Sequence, residues 1–393
     1  EMTRLGLPVP PGMTIGTDVC IHSQAHQGGW PNGLDERVQR VLPRVERIMG
    51  RRFGDAVNPL LLSVRSGARV SMPGMMDTVL NLGLNDETVE GLAFATDNPR
   101  FAWDSYRRFA HMFGDVVLGV RDRQGEDPFE KHIQKVKSRN GIENDTDLTE
   151  GHLKRLVGDY KGIIEARSDA VLPDCPGEQL RQAIDAVFRS WDNDRAIAYR
   201  ELNGIPHDWG TAVSVQAMVF GNLGSGSGTG VAFTRDPGTG AKHLYGEYLV
   251  NAQGEDVVAG VRTPLRISEM ARTFPGAWRE LGKIQSILED HYRDMQDLEF
   301  TVEHGRLWLL QTRAGKRTGQ AAVRIAVDMS REDRISKNEA VRRVPAEAVE
   351  HLMRPEFETA DADGRDLLAT GLGAGPGAAT GKAAFTARAA VRM

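Results

Sequence analysis

The sequence predicts an α+β protein of more than one domain, in which a charged helical insert separates a short strand-bearing opening from a sheet-rich second half. Three observations carry that expectation. The 393 residues exceed what one ordinary domain holds, and roughly 150 residues per domain gives two or three. Apolar residues recur at helical spacing in some stretches and form short unbroken runs in others, the signals of helix and of buried strand. Glycine, 43 of 393 residues, is about 11% against a usual roughly 7%, and it clusters between the strand-like runs of the second half.

Taken in order, Leu5 to Ile15 is a proline-rich turn, GLPVPPG, leading into a strand, and Glu1 in place of Met suggests a chain that begins within a domain. Leu34, Val38, Val41, Leu42, Val45, Ile48 and Met49 share one helical face, so a helix is expected from Leu34 to near Gly50 or Gly54. LLLSV at Leu60 to Val64, after Asn58-Pro59, reads as a buried strand, followed by a loop rich in glycine and methionine. Pro99 to Val117 and Phe129 to Ala170 are helical and strongly charged, with a start signal at Asp147 to Thr149. Strands are expected at Ala212 to Phe220, Val231 to Thr234, Leu244 to Val250, Leu298 to Val302 and Leu307 to Thr312. Ser336 to Glu339 has the spacing of a capping box before a helix containing Ala340 to Val344. Asp361 to Arg365 reads as a linker, and the glycine- and alanine-rich stretch from Gly371 to Ala387 as the opening of another domain.

Composition removes several function classes. Lys+Arg 49 against Asp+Glu 54 gives a net charge of −5, which supplies no counterion-release drive for nucleic acid. No apolar run approaches the roughly 18 residues of a membrane span, and no leader is evident. Two cysteines, Cys20 and Cys175, cannot make a disulfide framework. A cytoplasmic location is expected, with no nucleic-acid or membrane partner.

Three constellations are candidates for chemistry. In VRSGARVSMPGMMDT, Val64 to Thr78, a strand delivers Arg65 at its end, and the following glycines let backbone N–H groups approach an anion. Arg65 would clamp phosphate oxygens; alone it could equally pair with a carboxylate at a sheet edge. In Gln216 to Gly240 a strand runs into a loop with five glycines from Gly221 to Gly230 and returns as a strand. Such a hairpin tip can fold over phosphates while the backbone of Met218, Val219 and Phe220 reads an adenine edge, or it can be a flexible tip without a ligand. No P-loop motif is present. In DLEFTVEHGRLWLLQTR, Asp297 to Arg313, a three-residue loop at Glu303-His304-Gly305 would pair Val302 with Arg306 and set Asp297 opposite Gln311. Asp297, Glu299, Gln311 and Arg313 would then share a face whose hard oxygen donors suit Mg²⁺ bridging phosphates, with Arg313 near the developing charge. A two-residue loop would reverse that parity, and an edge hairpin with an outward polar face is the plain alternative. Cys20, His22 and His26 lie in a loop-like stretch and read as surface side chains rather than a metal site. Met72, Met75 and Met76 are read as lid or core.

These constellations resemble, in this order, the nucleotide-binding half of the pyruvate, phosphate dikinase family. The resemblance runs through SVRSGARVSMPGMMDTVLNLGLND (Ser63 to Asp86), FRSWDNDRAIAYRELNGIPHDWGTAV (Phe188 to Val213), GTGVAFTRDPGTG (Gly228 to Gly240), GEYLVNAQGEDVVAGVRTP (Gly246 to Pro264) and DMQDLEFTVEHGRLWLLQTRAGKRT (Asp294 to Thr318). PGMMDT and NAQGEDVVAG favour the dikinase over phosphoenolpyruvate synthase and the antibiotic-phosphorylating enzymes.

The resemblance implies an ATP-grasp fold over residues 1–316, with a helical insert at about 87–190 and a second, mainly sheet subdomain at about 212–316. A helical linker would follow at 317–368, and 369–393 would open a swivelling phosphohistidine domain. It implies ATP and Mg²⁺ as cofactors. Arg65 carries over as a phosphate-binding arginine, Asp297, Glu299 and Gln311 as the metal and ATP site, and Arg313 as a further phosphate contact. Gln216 to Asn222 resembles the segment that reads adenine. The family's GGKGANL-like segment precedes the first residue here, and none of the ten histidines lies in a TSHMAV-like context. The chain thus resembles the donor side of a relay that passes phosphoryl groups to a carrier histidine on a domain it lacks, incomplete for catalysis alone. The alternatives are an ATP-binding regulatory module without turnover and a related phosphotransferase; a homo-oligomer stays open.

Overall fold

The computed structural model describes residues 1–70, 72, 74–120, 127–259, 262–352 and 381–384. The expected linker at Asp361 to Arg365 lies outside the described residues, as does nearly all of the expected phosphohistidine-domain opening at 369–393. The chain divides into two compact units. The first comprises residues 1–229, 249–263 and 300–310, the second 230–248, 264–299 and 311–393.

The first unit is built on a four-stranded antiparallel sheet of order β1-β6-β4-β5, with β1 Gly12–Ile15, β4 Leu62–Gly67, β5 Thr78–Leu82 and β6 Ala212–Ala217. A short parallel pair, β2 Arg52–Phe53 and β3 Pro59–Leu60, stands beside it. Strand β6 alternates as a half-buried strand should: Val213, Val215 and Ala217 are buried, Ala212, Ser214 and Gln216 half-exposed. The buried row faces helices, since α7 (Pro176–Arg189) packs on β4, β5 and β6, and α4 (Pro99–Met112) packs on β5. Val64, Val79 and Val213 are fully buried there, each worth roughly 1.5–3 kcal/mol relative to exposure.

The expected helix at Leu34 to Gly50 is α2, Leu34–Met49, ended by Gly50 at φ 65°. The charged stretches form α3 (Thr88–Thr96), α4, α5 (Pro128–Asn140) and α6 (Glu150–Arg167). Their starts follow capping chemistry: the Asn98 side chain accepts from the Phe101 N–H, and Thr149 accepts from the His152 N–H where a start was expected. The unit is completed by α8 (Asp194–Asn203) and α9 (Gly254–Ala259).

Three expectations change. Residues around Cys20 are helical, α1 Thr17–Ala25, not loop. Strand β5 was not foreseen because Asn81, at φ 60°, sits in a bulge where the pairing shifts from Leu62↔Leu82 to Val64↔Val79, which breaks the apolar alternation. The strands flanking the glycine-rich loop do not form a hairpin, for β6 belongs to the four-stranded sheet and β7 (Gly228–Phe233) to another.

That other sheet has five strands in the order β11-β10-β7-β8-β9, with β8 Tyr245–Val250, β9 Leu265–Arg266, β10 Gln296–Glu303 and β11 Arg306–Ala314. The second unit carries α10 (Met270–Thr273), α11 (Pro275–Tyr292), α12 (Gly319–Arg331), α13 (Lys337–Arg343) and α14 (Ala346–Leu352). Ser336 caps α13 by accepting from the Glu339 N–H, as its spacing predicts. Met295, Ala321, Ile325, Met329 and Ala340 form a small core that ties α12 and α13 to the start of β10. Fully buried Arg235 donates to both oxygens of fully buried Glu289 at 3.0 and 2.9 Å and also reaches Glu332, which Lys242 contacts at 2.8 Å. Among the described residues no helix is long and apolar enough to cross a membrane.

Candidate functional site

Arg65 sits in β4, an interior strand, so its backbone is held on both sides: it lies opposite Ser214 of β6 and Thr78 of β5. Residues paired across antiparallel strands share a face. Ser63 and Gln216 pair on that same face, which therefore gathers Ser63, Arg65, Thr78, Ser214 and Gln216, while Val64, Val79 and Val215 fill the opposite one. Gln216 is fixed by its amide N–H to the Pro10 carbonyl at 3.1 Å. A row of polar donors with one guanidinium on a sheet whose other face is core is chemically fit to receive an anion. The loop after β4 is tied down: Asn193 and Arg195 donate to the Met75 carbonyl, and the Asp77 N–H donates to Ser190. Met72 is buried and Met75 and Met76 pack on the same core, so of the two roles read for these methionines the structure shows core packing.

Met218, Val219 and Phe220 extend from the end of β6 and are all buried. Two of their backbone donors are engaged, Met218 N–H with the Leu61 carbonyl at 2.9 Å and Phe220 N–H with Glu303 Oε1 at 3.0 Å. The glycine-rich loop beyond is anchored rather than open. Ala252 N–H donates to Gly221 O, Asn251 N–H to Ser227 O, Gly305 N–H to Gly226 O, and Gly224 N–H to the Asn251 side chain. At Gly221 a Cβ would stand 2.3 Å from the Ala252 carbonyl oxygen, so only glycine permits this approach. These glycines allow three backbone segments to pack edge to edge.

In the β10–β11 hairpin, Arg313 Nε donates to Asp297 Oδ2 at 2.9 Å and Nη2 to Glu299 Oε1 at 3.1 Å. Thr312 Oγ1 donates to Gln296 Oε1 at 3.1 Å. Both carboxylates thus converge within the span of one guanidinium, as the sequence reading expected. The route differs. The tip is a two-residue turn with His304 at φ 48° and Gly305 at φ 78°, between strands ending at Glu303 and resuming at Arg306, not a three-residue loop. Phe300 to Val302 and Leu307 to Leu309 are unbroken buried runs, so both faces of the hairpin are covered near the tip, while Asp297, Glu299 and Arg313 are half-exposed at its far end. Gln311 is exposed, and the bonds that join Arg313 to the two acids do not include it.

Asp297 and Glu299 are hard oxygen donors side by side, and Mg²⁺ is commonly held by one or two carboxylates with the remaining positions taken by water and phosphate oxygens. The donor set fits such an ion. Among the described residues no group of three or more His, Cys, Asp or Glu is placed to hold a metal. Cys20 is buried, with burial pushing its thiol up, while His22 and His26 stack on the surface of α1 with ring centroids 4.0 Å apart. Sequence reasoning passed over Glu303 by counting it as loop. It also missed the polar row beside Arg65, although the alternation AVSVQA at 212–217 carried that signal.

Residues 27–275 and 276–334 match the family model described as pyruvate phosphate dikinase, AMP/ATP-binding domain. The chain is 54% identical to the pyruvate, phosphate dikinase of Rhizobium meliloti, over all of this chain and 44% of that protein. It is 51% identical to the pyruvate, phosphate dikinase of Clostridium symbiosum, over 98% of this chain and 44% of that protein. With the chloroplastic pyruvate, phosphate dikinase 1 of Arabidopsis thaliana it shares 52% identity over 98% of this chain and 40% of the relative. The chain therefore spans less than half the length of the relatives it matches.

Proposed function

The chain belongs to the pyruvate, phosphate dikinase family through its AMP/ATP-binding domain, and from that membership we propose that it holds Mg·ATP in an ATP-grasp arrangement and passes phosphoryl groups to a histidine on a carrier domain. In the complete enzyme that relay would interconvert pyruvate and phosphoenolpyruvate. The observation that carries the reading is the convergence of Asp297, Glu299 and Arg313 on one hairpin.

Phosphoryl transfer asks mainly for positioning and for neutralisation of charge on the transferred oxygens, and little for a catalytic base. Asp297 and Glu299, with Gln311, would hold Mg²⁺, which when bound offsets phosphate charge. Arg313 keeps the two carboxylates from repelling each other apart, and with nucleotide bound it is a phosphate contact. Arg65 offers a planar fork of donors to phosphate oxygens, on a strand whose neighbours fix its backbone. Gln216 and the backbone of Met218 to Phe220 receive the base. Residues 317–368 would link this donor to the swivelling carrier domain that opens at 369–393.

The test is a transfer assay with γ- and β-labelled ATP, the chain and a separately produced histidine-bearing domain. Acid-labile phosphohistidine on the carrier, lost in Glu299→Gln, is the expected result. Tight ATP binding with no label on any carrier would instead mark a regulatory module, and label on a small hydroxyl acceptor a related phosphotransferase.

A further inference from the structure

Glu303, at the end of β10, has no assigned role in nucleotide handling, yet its side chain bonds directly to the backbone of the base-reading segment: its Oε1 accepts the Phe220 N–H at 3.0 Å. We propose that Glu303 is a positioning residue for base selection, making the nucleotide site prefer a 6-aminopurine over a 6-oxopurine by occupying the Phe220 N–H. The inference rests on the reading above that Met218 to Phe220 meets the base.

The Met218 N–H is used by the Leu61 carbonyl and the Phe220 N–H by Glu303, so these two residues have carbonyl oxygen left to offer a base, and Val219 keeps the segment's remaining N–H, which suits the bare N1 of a 6-aminopurine and not the N1–H of a 6-oxopurine. A 6-aminopurine presents a donor at position 6 and pairs with a carbonyl. A 6-oxopurine presents an acceptor there, which a carbonyl repels and a carboxylate nearby repels further. A polar site rejects the wrong partner most strongly when the mismatch leaves buried groups unpaired, and segment and carboxylate are buried or half-buried here.

The bond is also held in place from both ends. The Phe220 ring is 1% exposed and meets Phe101 edge-on at 5.0 Å, so its peptide plane cannot swing freely. On the other side the turn after Glu303 is fastened by His304 N–H to Ser227 Oγ at 3.1 Å and Gly305 N–H to Gly226 O at 2.8 Å. A carboxylate anchored in this way constrains one particular N–H, which is more specific than filling space.

The experiment is calorimetric titration of the full chain with ATP, GTP and inorganic tripolyphosphate in the presence of Mg²⁺. Glu303→Ala is expected to lower the ATP-over-GTP preference about tenfold or more and leave tripolyphosphate affinity within about twofold. Glu303→Gln, whose amide oxygen still accepts the Phe220 N–H but carries no charge, is expected to keep most of the wild-type preference. Should the alanine protein be poorly folded by circular dichroism, Glu303→Ser truncates the acceptor with a smaller loss of polarity. An unchanged ATP-to-GTP ratio in the truncation overturns the inference. So does a parallel loss of ATP and tripolyphosphate, which would mean a merely structural role, or a glutamine variant as permissive as alanine. If the wild-type chain binds neither ATP nor tripolyphosphate, the nucleotide reading itself fails, an outcome distinct from these.

Discussion

At residue scale, the proposed phosphate chemistry rests on which oxygens Arg313 holds. Asp297 and Glu299 are drawn together by its guanidinium at 2.9 and 3.1 Å, so neutralising one acid would remove a proposed metal ligand and loosen the other. Glu299→Gln is expected to lower Mg²⁺-dependent ATP affinity by about tenfold or more, with little change in unfolding midpoint, because the side chain is 31% exposed and surface substitutions cost about 0.5 kcal/mol. Calorimetry with and without Mg²⁺ reads the first quantity and a urea titration the second. Arg65 was legible from sequence as a residue leaving a strand toward a glycine-rich loop. Its polar companions Ser214 and Thr78 were not, since nothing local says which strands lie beside β4.

At the scale of elements, the helical insert carries an acid-sensitive cap. Asp127 accepts from the Phe129 and Glu130 N–H groups at the start of α5 and from His111 at 2.8 Å. Burial would push its carboxyl up, but the His111 bond and the two backbone N–H groups outweigh that and hold it down at about 2, against an ordinary 3.8. A carboxyl depressed on folding stabilises the fold above its unfolded value, and that stabilisation drains away as pH falls from about 4 toward about 2. Asp127→Asn should therefore lose up to about 2 kcal/mol at pH 7 and show a flatter stability profile across that window, measured by urea unfolding at stepped pH. Gly221→Ala, with its Cβ driven to 2.3 Å from the Ala252 oxygen, should cost about 1–3 kcal/mol by the same method. The hairpin at 297–313 shows where local rules stop: its tip chemistry, an αL pair at His304-Gly305, differs from the expected loop, yet Asp297 and Glu299, two residues apart on one strand, share a face and both meet Arg313.

For the whole molecule, a fully buried ion pair anchors the second unit. Arg235 and Glu289, both fully buried, join the end of β7 to α11, and Glu332 brings in the end of α12. The Glu332 carboxyl, raised by burial, is brought below its ordinary value by Lys242 and Arg235. Replacing Arg235 by Met would take both hydrogen bonds from the buried Glu289 carboxylate and leave it the 3.8 Å contact with Arg334, and a loss of about 3 kcal/mol in chemical denaturation is expected. This cluster fixes α12 to the sheet of its own unit, at the start of the segment proposed to lead to the carrier domain.

What the sequence by itself determined was whatever depends on neighbours along the chain: the helix of Leu34–Met49 with its terminal glycine, the caps at Thr149 and Ser336, the apolar runs that became β4 and β11, and the motif order that matches the dikinase family. Tertiary structure alone decided which sheet each strand joined. Glycine-rich residues between β6 and β7 read as a hairpin because adjacent strands usually pair, whereas here the flanking strands enter different sheets and the glycines serve close packing of distant backbones. Glu303 became visible for the same reason, since its partner Phe220 lies 83 residues away and a hydrogen bond over that separation leaves no periodic trace in the chain.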